Sequence, residues 1–233
     1  MNFLSLLAIA LAPGIAIALY VYLKDKHERE PISLLLMSFL YGALSTVVTL
    51  LISWPLHANF TFDEGNVLEQ FINAFFAVAL VEEFSKFIFV RFILYRNKNF
   101  NEPFDGIVYA LMVSMGFATL ENVLYTFKYG FETGILRMFT AVPAHATFGI
   151  LMGYFLGKAK FNHKKKGLLA LLALLIATLF HGAYDYFWFI SYIPGIWFGA
   201  IASLIVGVWL SKEAIRIHQK TSPFSKTDNN QTL

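Results

Sequence analysis

Glu82, Glu83, Lys86, Glu121, His145, His181 and Asp185 all stand inside segments apolar enough to lie in a membrane. A charge near the bilayer centre costs on the order of 2.5–3.5 kcal/mol even on lenient scales, so each group needs a partner or a task. Lys86 follows Glu82 by four residues and Glu83 by three, which on a helix sets one ammonium against both carboxylates. Two adjacent acids in a low dielectric do not ionise equally, and one is left able to act as a base. His181 and Asp185 lie one turn apart, so Asp185 is either a metal ligand or the group that fixes the imidazole tautomer. Asn122 and Tyr125, beside and one turn beyond Glu121, are further candidates for contact with a substrate or ligand.

Two imidazoles, His145 and His181, with one or two carboxylates, Glu121 and Asp185, form the ligand set of a catalytic zinc with an open position for water. Glu82 or Glu83 would then take the proton of that water as it attacks a peptide carbonyl. The spacing is not the His-Glu-x-x-His of soluble zinc proteases, and a metal-free site is the alternative. There Glu82 or Glu83 activates water and the histidines stabilise the oxyanion. Taken singly, the Glu82, Glu83 and Lys86 group could be an ion-pair cluster that only fixes packing, and each histidine a hydrogen-bonded core residue. Their joint placement has to decide.

The elements that carry them are membrane helices. The 233 residues are 58% hydrophobic and 14% charged, whereas a soluble domain is about a quarter charged. Cysteine is absent, so any metal would be held by His and carboxylate. A span needs about 20 apolar residues, and candidates lie at about 3 to 23, 31 to 54, 68 to 95, 105 to 127, 137 to 158, 167 to 190 and 194 to 211. The expected fold is therefore an all-α polytopic bundle of about seven transmembrane helices. It forms one domain over residues 1–220, followed by a flexible polar cytoplasmic tail over 221–233. The first span has no basic residue before it and reads as a retained helix rather than a signal peptide.

If the spans alternate, Lys24 to Glu30, Arg91 to Lys98, Lys158 to Lys166 and the end from Lys212 share one basic side. That side should be cytoplasmic, with the N-terminus out and the C-terminus in; the charge pattern speaks of topology and not of nucleic acid. Counting inward from the extracytoplasmic ends puts Glu121 about six residues deep, His145 about eight, His181 about nine and Glu82 about fourteen, in a span long enough to tilt. They converge on one layer between the midplane and the outer leaflet. Gly149, Gly153 and Gly157 make a small-residue stripe that admits a neighbouring backbone, and His145 lies one turn before it on the same face.

Glu82-Glu83-Phe84-Ser85-Lys86 (EExxK), Phe117 through Glu121-Asn122 (FxxxEN), the separate His145 and His181 through Asp185 (HxxxD) resemble the PrsW family of intramembrane proteases, related to the CAAX-processing and bacteriocin-immunity membrane proteases. Asp25 through Glu30-Pro31 and Phe104 through Tyr109 are supporting matches, and the likeness covers about residues 20 to 190. It implies a helical endopeptidase of the bacterial cell membrane. In some members the substrate is a membrane-tethered anti-sigma factor cut on its extracytoplasmic side. The wider relatives carry His where this chain has Glu121.

Two other classes compete on the residues alone. Ion-coupled transporters also place acids and histidines in mid-membrane, but two superposable halves are not visible here. A non-enzymatic membrane scaffold would use the same groups only for packing.

Overall fold

The computed structural model describes residues 3–24 and 28–226. Within them the chain is helical, without strands: α1 (Phe3–Lys24), α2 (Ile32–Asn59), α3 (67–96), α4 (Pro103–Tyr129), α5 (Phe131–Phe139), α6 (Ala141–Phe161), α7 (Lys166–Phe189) and α8 (Phe198–Lys220). Six stretches are long and apolar enough to cross a membrane: α1, α2, α4, the α5–α6 unit Phe131–Phe161, α7 and α8. The seventh expected span is α3, whose run is broken into α-helix, wider π turns at Asn73–Ala79 and Phe89–Ile93, and a closing 3-10 turn. At about 1.5 Å per residue it still exceeds a bilayer core of about 30 Å.

Three boundaries differ from the sequence reading. The second span runs on past Pro55 to Asn59. The last begins at Phe198 and continues to Lys220, because hydropathy stops at the first lysine while the helix does not. The expected span 137–158 is broken at Thr140, where the backbone leaves helical values between α5 and α6. Of the expected tail, Pro223–Lys226 forms a 3-10 turn, while residues 227–233, like Asp25, lie outside the described residues.

The inner faces explain the arrangement. In a bilayer, helices associate by close packing, and small residues allow it. A Cβ on Gly42 of α2 would meet the Val113 carbonyl oxygen of α4 at 1.9 Å, and one on Gly116 would meet the Phe39 carbonyl oxygen at 1.9 Å. Apart from Leu35, the inner face of α2 is small and polar, with Ser38, Ser45, Thr46 and Thr49 buried, while Leu36, Leu40, Leu44 and Leu51 face outward. Ser38 and Ser45 donate their hydroxyls to backbone carbonyls of their own helix, so burial leaves them satisfied.

The stripe of α6 finds its partner in α4. A Cβ on Gly153 would stand 2.3 Å from the Gly106 carbonyl oxygen, and one on Gly157 2.1 Å from that of Pro103. Ser114 of α4 donates its hydroxyl to the His145 carbonyl at 2.6 Å, one turn before Gly149. Because these backbones touch, His145 is held beside α4 and its Glu121. Gly153→Ala should therefore force the two helices apart, costing about 1–3 kcal/mol by analogy with overpacked cores. Thermal unfolding of the detergent-solubilised variant, followed by circular dichroism, checks this; an unchanged midpoint would refute it.

At the opposite end, the Asp105 side chain accepts the backbone N–H groups of Asn101 and Glu102 at 2.8 Å each, capping α4. The Tyr109 hydroxyl donates to Glu30, which precedes α2. Burial is the main cause that raises the Glu30 carboxyl above its ordinary range. The folded state thus holds that proton more tightly than the unfolded chain does. Its contribution is complete below the ordinary carboxylate range and is lost as pH rises through the raised folded value. Glu30→Gln, which cannot ionise, should flatten the fall of stability with rising pH; a pH series of unfolding midpoints for both proteins would show the same slope if Glu30 were uninvolved.

Candidate active site

All seven ionisable residues named from the sequence meet in one connected cluster. The α-helical segment Leu80–Ile88 of α3 supplies Glu82, Glu83 and Lys86, which share its buried side. Lys86 Nζ donates to Glu83 Oε1 at 2.6 Å and stands 3.9 Å from Glu82 Oε2. It also lies 3.3 Å from His145 Nδ1 and 4.2 Å from the centroid of the Phe117 ring. Glu83 is 0% and Lys86 1% exposed, so the pair has no water to fall back on. A buried ion pair endures only when its remaining hydrogen-bond capacity is used. Here a histidine and an aromatic face take up part of it.

From α7, His181 Nδ1 lies 2.8 Å from Glu83 Oε1. A carboxylate only accepts, so this contact puts a proton on Nδ1. His181 Nε2 is 3.1 Å from Asp185 Oδ2 and 3.8 Å from Glu82 Oε2. The ring is held flat by Phe148, stacked at 4.7 Å with an interplanar angle of 16°. Gly182 has a packing reason, because a Cβ there would meet the Phe75 ring at 2.5 Å. That closeness draws α7 onto the π segment of α3.

On the other side, His145 Nε2 is 2.9 Å from Glu121 Oε2, and the two imidazole centroids are 5.0 Å apart. Arg137 donates from Nη2 to Glu121 Oε2 at 2.7 Å and from Nε to Asn122 Oδ1 at 3.2 Å. Asn122 in turn donates to the Ala10 carbonyl at 3.0 Å, tying α4 to α1. Tyr125 lies under the guanidinium, 4.1 Å from its carbon to the ring centroid. Arg137 is the charged residue that sequence reasoning missed. It stood at the edge of an expected span, and the break at Thr140 turns α5 so that the side chain reaches back to α4. An arginine beside an apolar stretch, with an acid left unpartnered on the neighbouring span, was the available signal.

A cavity of about 270 Å³ opens beside the cluster. Glu82, Glu121, Arg137, His145, His181 and Asp185 face it, with Tyr125, Thr140, Tyr184, Val78, Leu136, Trp188 and Phe189 among its walls. Glu83 and Lys86 are behind this wall, so the adjacent acids are separated into one that meets the cavity and one that does not. Among the described residues, one trio could offer a ligand atom each within 4.8 Å of one another: Glu82, His145 and His181. Glu82 is thus the carboxylate with an oxygen within that distance of both imidazoles. Glu121 and Asp185, expected among the ligands, each contact one histidine. The donor chemistry of the trio, two imidazoles and a carboxylate whose Oε2 has no hydrogen-bond partner, fits zinc.

Membrane-crossing helices enclosing carboxylates and imidazoles around a cavity define a multi-pass membrane protein with a buried polar site. The chain belongs to the PrsW family of intramembrane proteases: the family described as "PrsW family intramembrane metalloprotease" matches residues 30–211. Relatives named Protease PrsW include those of Geobacillus kaustophilus, 43% identical over 78% of this chain and 79% of the relative, and Oceanobacillus iheyensis, 44% identical over 78% and 82%. That of Bacillus subtilis is 36% identical over 78% of this chain and 82% of its own. No solved structure matches the chain. The membership establishes a protease of the bacterial membrane and sets aside the transporter and scaffold readings.

Proposed function

We propose that the chain cleaves a peptide bond of a membrane-tethered protein, an anti-sigma factor as the family likeness suggests, near the extracytoplasmic face. The observation that carries the site is the meeting of Glu82, His145 and His181 at a cavity whose walls include the ends of α5 and α7. Those ends lie on the side with few basic residues. The hydroxyl of Tyr192, in the loop after α7, donates to the Gly65 carbonyl in the loop before α3 at 3.1 Å, which supports one common face for these loops. With the basic loops at the other face in the cytoplasm, the N-terminus is out and the C-terminus in. Residues 1–220 act as one protease domain.

Glu82, His145 and His181 would hold a zinc ion, which when bound supplies a Lewis acid and an activated water at neutral pH. The chain's own groups do the rest. Glu83 holds the His181 tautomer, and Lys86 offsets the charge of Glu83 behind the wall. Asp185, beside His181 Nε2 and facing the cavity, takes the proton of the attacking water and returns it to the leaving amine. Arg137 and Asn122 hold Glu121 against His145. The apolar walls at Val78, Leu136, Trp188 and Phe189 receive substrate side chains.

One contact favours a metal-free second reading. The Lys86 ammonium beside His145 Nδ1 can only donate, which puts the imidazole proton on Nε2, facing Glu121. In that arrangement Glu82 itself takes the proton of the water. Metal analysis and chelation of purified protein, alongside cleavage of a single-span reporter, separate the two. The zinc reading expects about one equivalent of metal, loss of cleavage on chelation, and recovery on adding zinc. It also expects Asp185→Asn to retain the metal while cleavage falls about 10²-fold or more. Full activity in a metal-free preparation would discard the zinc and leave Glu82 as the base.

A further inference from the structure

Far from the cavity, at the end of the bundle that bears the basic loops, three cations from three helices crowd one tyrosine. The Arg91 guanidinium carbon lies 4.5 Å from the Tyr95 ring centroid, Lys160 Nζ 5.0 Å and Lys166 Nζ 5.2 Å. Lys160 lies 5.0 Å from the Phe100 centroid as well, so two aromatic rings share three cations and leave their mutual repulsion uncompensated. Lys160 also donates to the Tyr95 carbonyl, yet among the described residues no carboxylate forms a salt bridge with any of the three. Lys166 opens α7, whose first turn holds no acid and whose N-cap makes no side-chain bond, so a cation there adds to the positive end of the helix dipole. The Tyr95 side chain is 4% exposed as part of its residue, and its hydroxyl has no hydrogen-bond partner. Like charges gathered around one ring whose buried hydroxyl is unused are what a bound anion would reconcile.

We propose that Arg91, Lys160, Lys166 and the Tyr95 hydroxyl bind the phosphate of an anionic lipid headgroup. Phosphate chemistry follows from the donors: a planar fork, two ammoniums and a hydroxyl. The lipid as its source follows from the neighbours. Phe92 beside Arg91 and Leu168 near Lys166 are exposed apolar side chains, placed for acyl chains below a headgroup.

The test is native mass spectrometry of the full chain in detergent, offered equimolar phosphatidylglycerol and phosphatidylcholine, with inorganic phosphate in a separate arm. The wild type should retain phosphatidylglycerol in preference to phosphatidylcholine. Arg91→Gln/Lys166→Gln, which leaves the Lys160 contact in place, should weaken retention about thirtyfold, and Lys212→Gln/Lys220→Gln, an equal loss of charge elsewhere at this end, by no more than about twofold. Helix content and a single elution peak establish that each variant is folded, and Lys160→Arg should keep the adduct. Equal weakening by the two double variants, or equal retention of both lipids, would overturn the site. Inorganic phosphate bound as tightly as the lipid would overturn the lipid as its source.

Discussion

Glu82→Gln should lower cleavage of a single-span reporter by about 10³-fold or more while leaving the folded protein in place. In the metal-free reading the change removes the general base, a loss of about 10²–10⁴, and in the zinc-bound reading it removes a ligand. Glutamine has nearly the same shape, and Glu82 lines the cavity while its buried Oε2 has no hydrogen-bond partner to lose, so little packing is disturbed. The Lys86 ammonium is 3.9 Å away and keeps its shorter contact with Glu83. The defect should therefore fall on kcat more than on KM. Cleavage within about tenfold of wild type would remove Glu82 from the chemistry under both readings.

Lys86→Met should cost about 3–5 kcal/mol of stability, because it leaves the Glu83 carboxylate buried beside His181 without its cation. The double variant Lys86→Met/Glu83→Gln removes both charges and should recover most of that loss. Activity should stay low in the double variant, since His181 would face a neutral amide in place of a carboxylate. Denaturant unfolding in mixed micelles for both singles and the double gives the coupling energy. A double variant no more stable than Lys86→Met would mean that the pair does not act as a unit. The contrast with Glu82 is the point of the comparison: two adjacent glutamates, one failing in chemistry and the other in folding.

Much of this was legible in the sequence. Long apolar runs in lipid must be helices, since no other backbone satisfies its own hydrogen bonds there, and so the bundle follows from hydropathy alone. The EExxK spacing put Lys86 on the face of both acids, and the glycine stripe announced a close neighbour, which α4 proved to be. Ionisable residues at similar depth in four spans had to find each other or remain unpaired in hydrocarbon. The α3 span shows the limit, because its π turns alter the helical phase between Asn73 and Ala79 and no hydropathy pattern marks them.

The sequence by itself determined which residues are charged within the membrane and that they converge. It could not say which face of each helix turns inward relative to the others, because helix phase is set by packing between remote segments. Only the tertiary structure divided Glu82 from Glu83, as the register of α3 against α7 buries one on His181 and leaves the other at the cavity. Only it brought Arg137 to Glu121, since that contact depends on a break at Thr140 and the turn of α5. The trio of Glu82, His145 and His181 spans three helices and 100 positions, and nothing local to any one of them specifies the carboxylate that lies near both imidazoles.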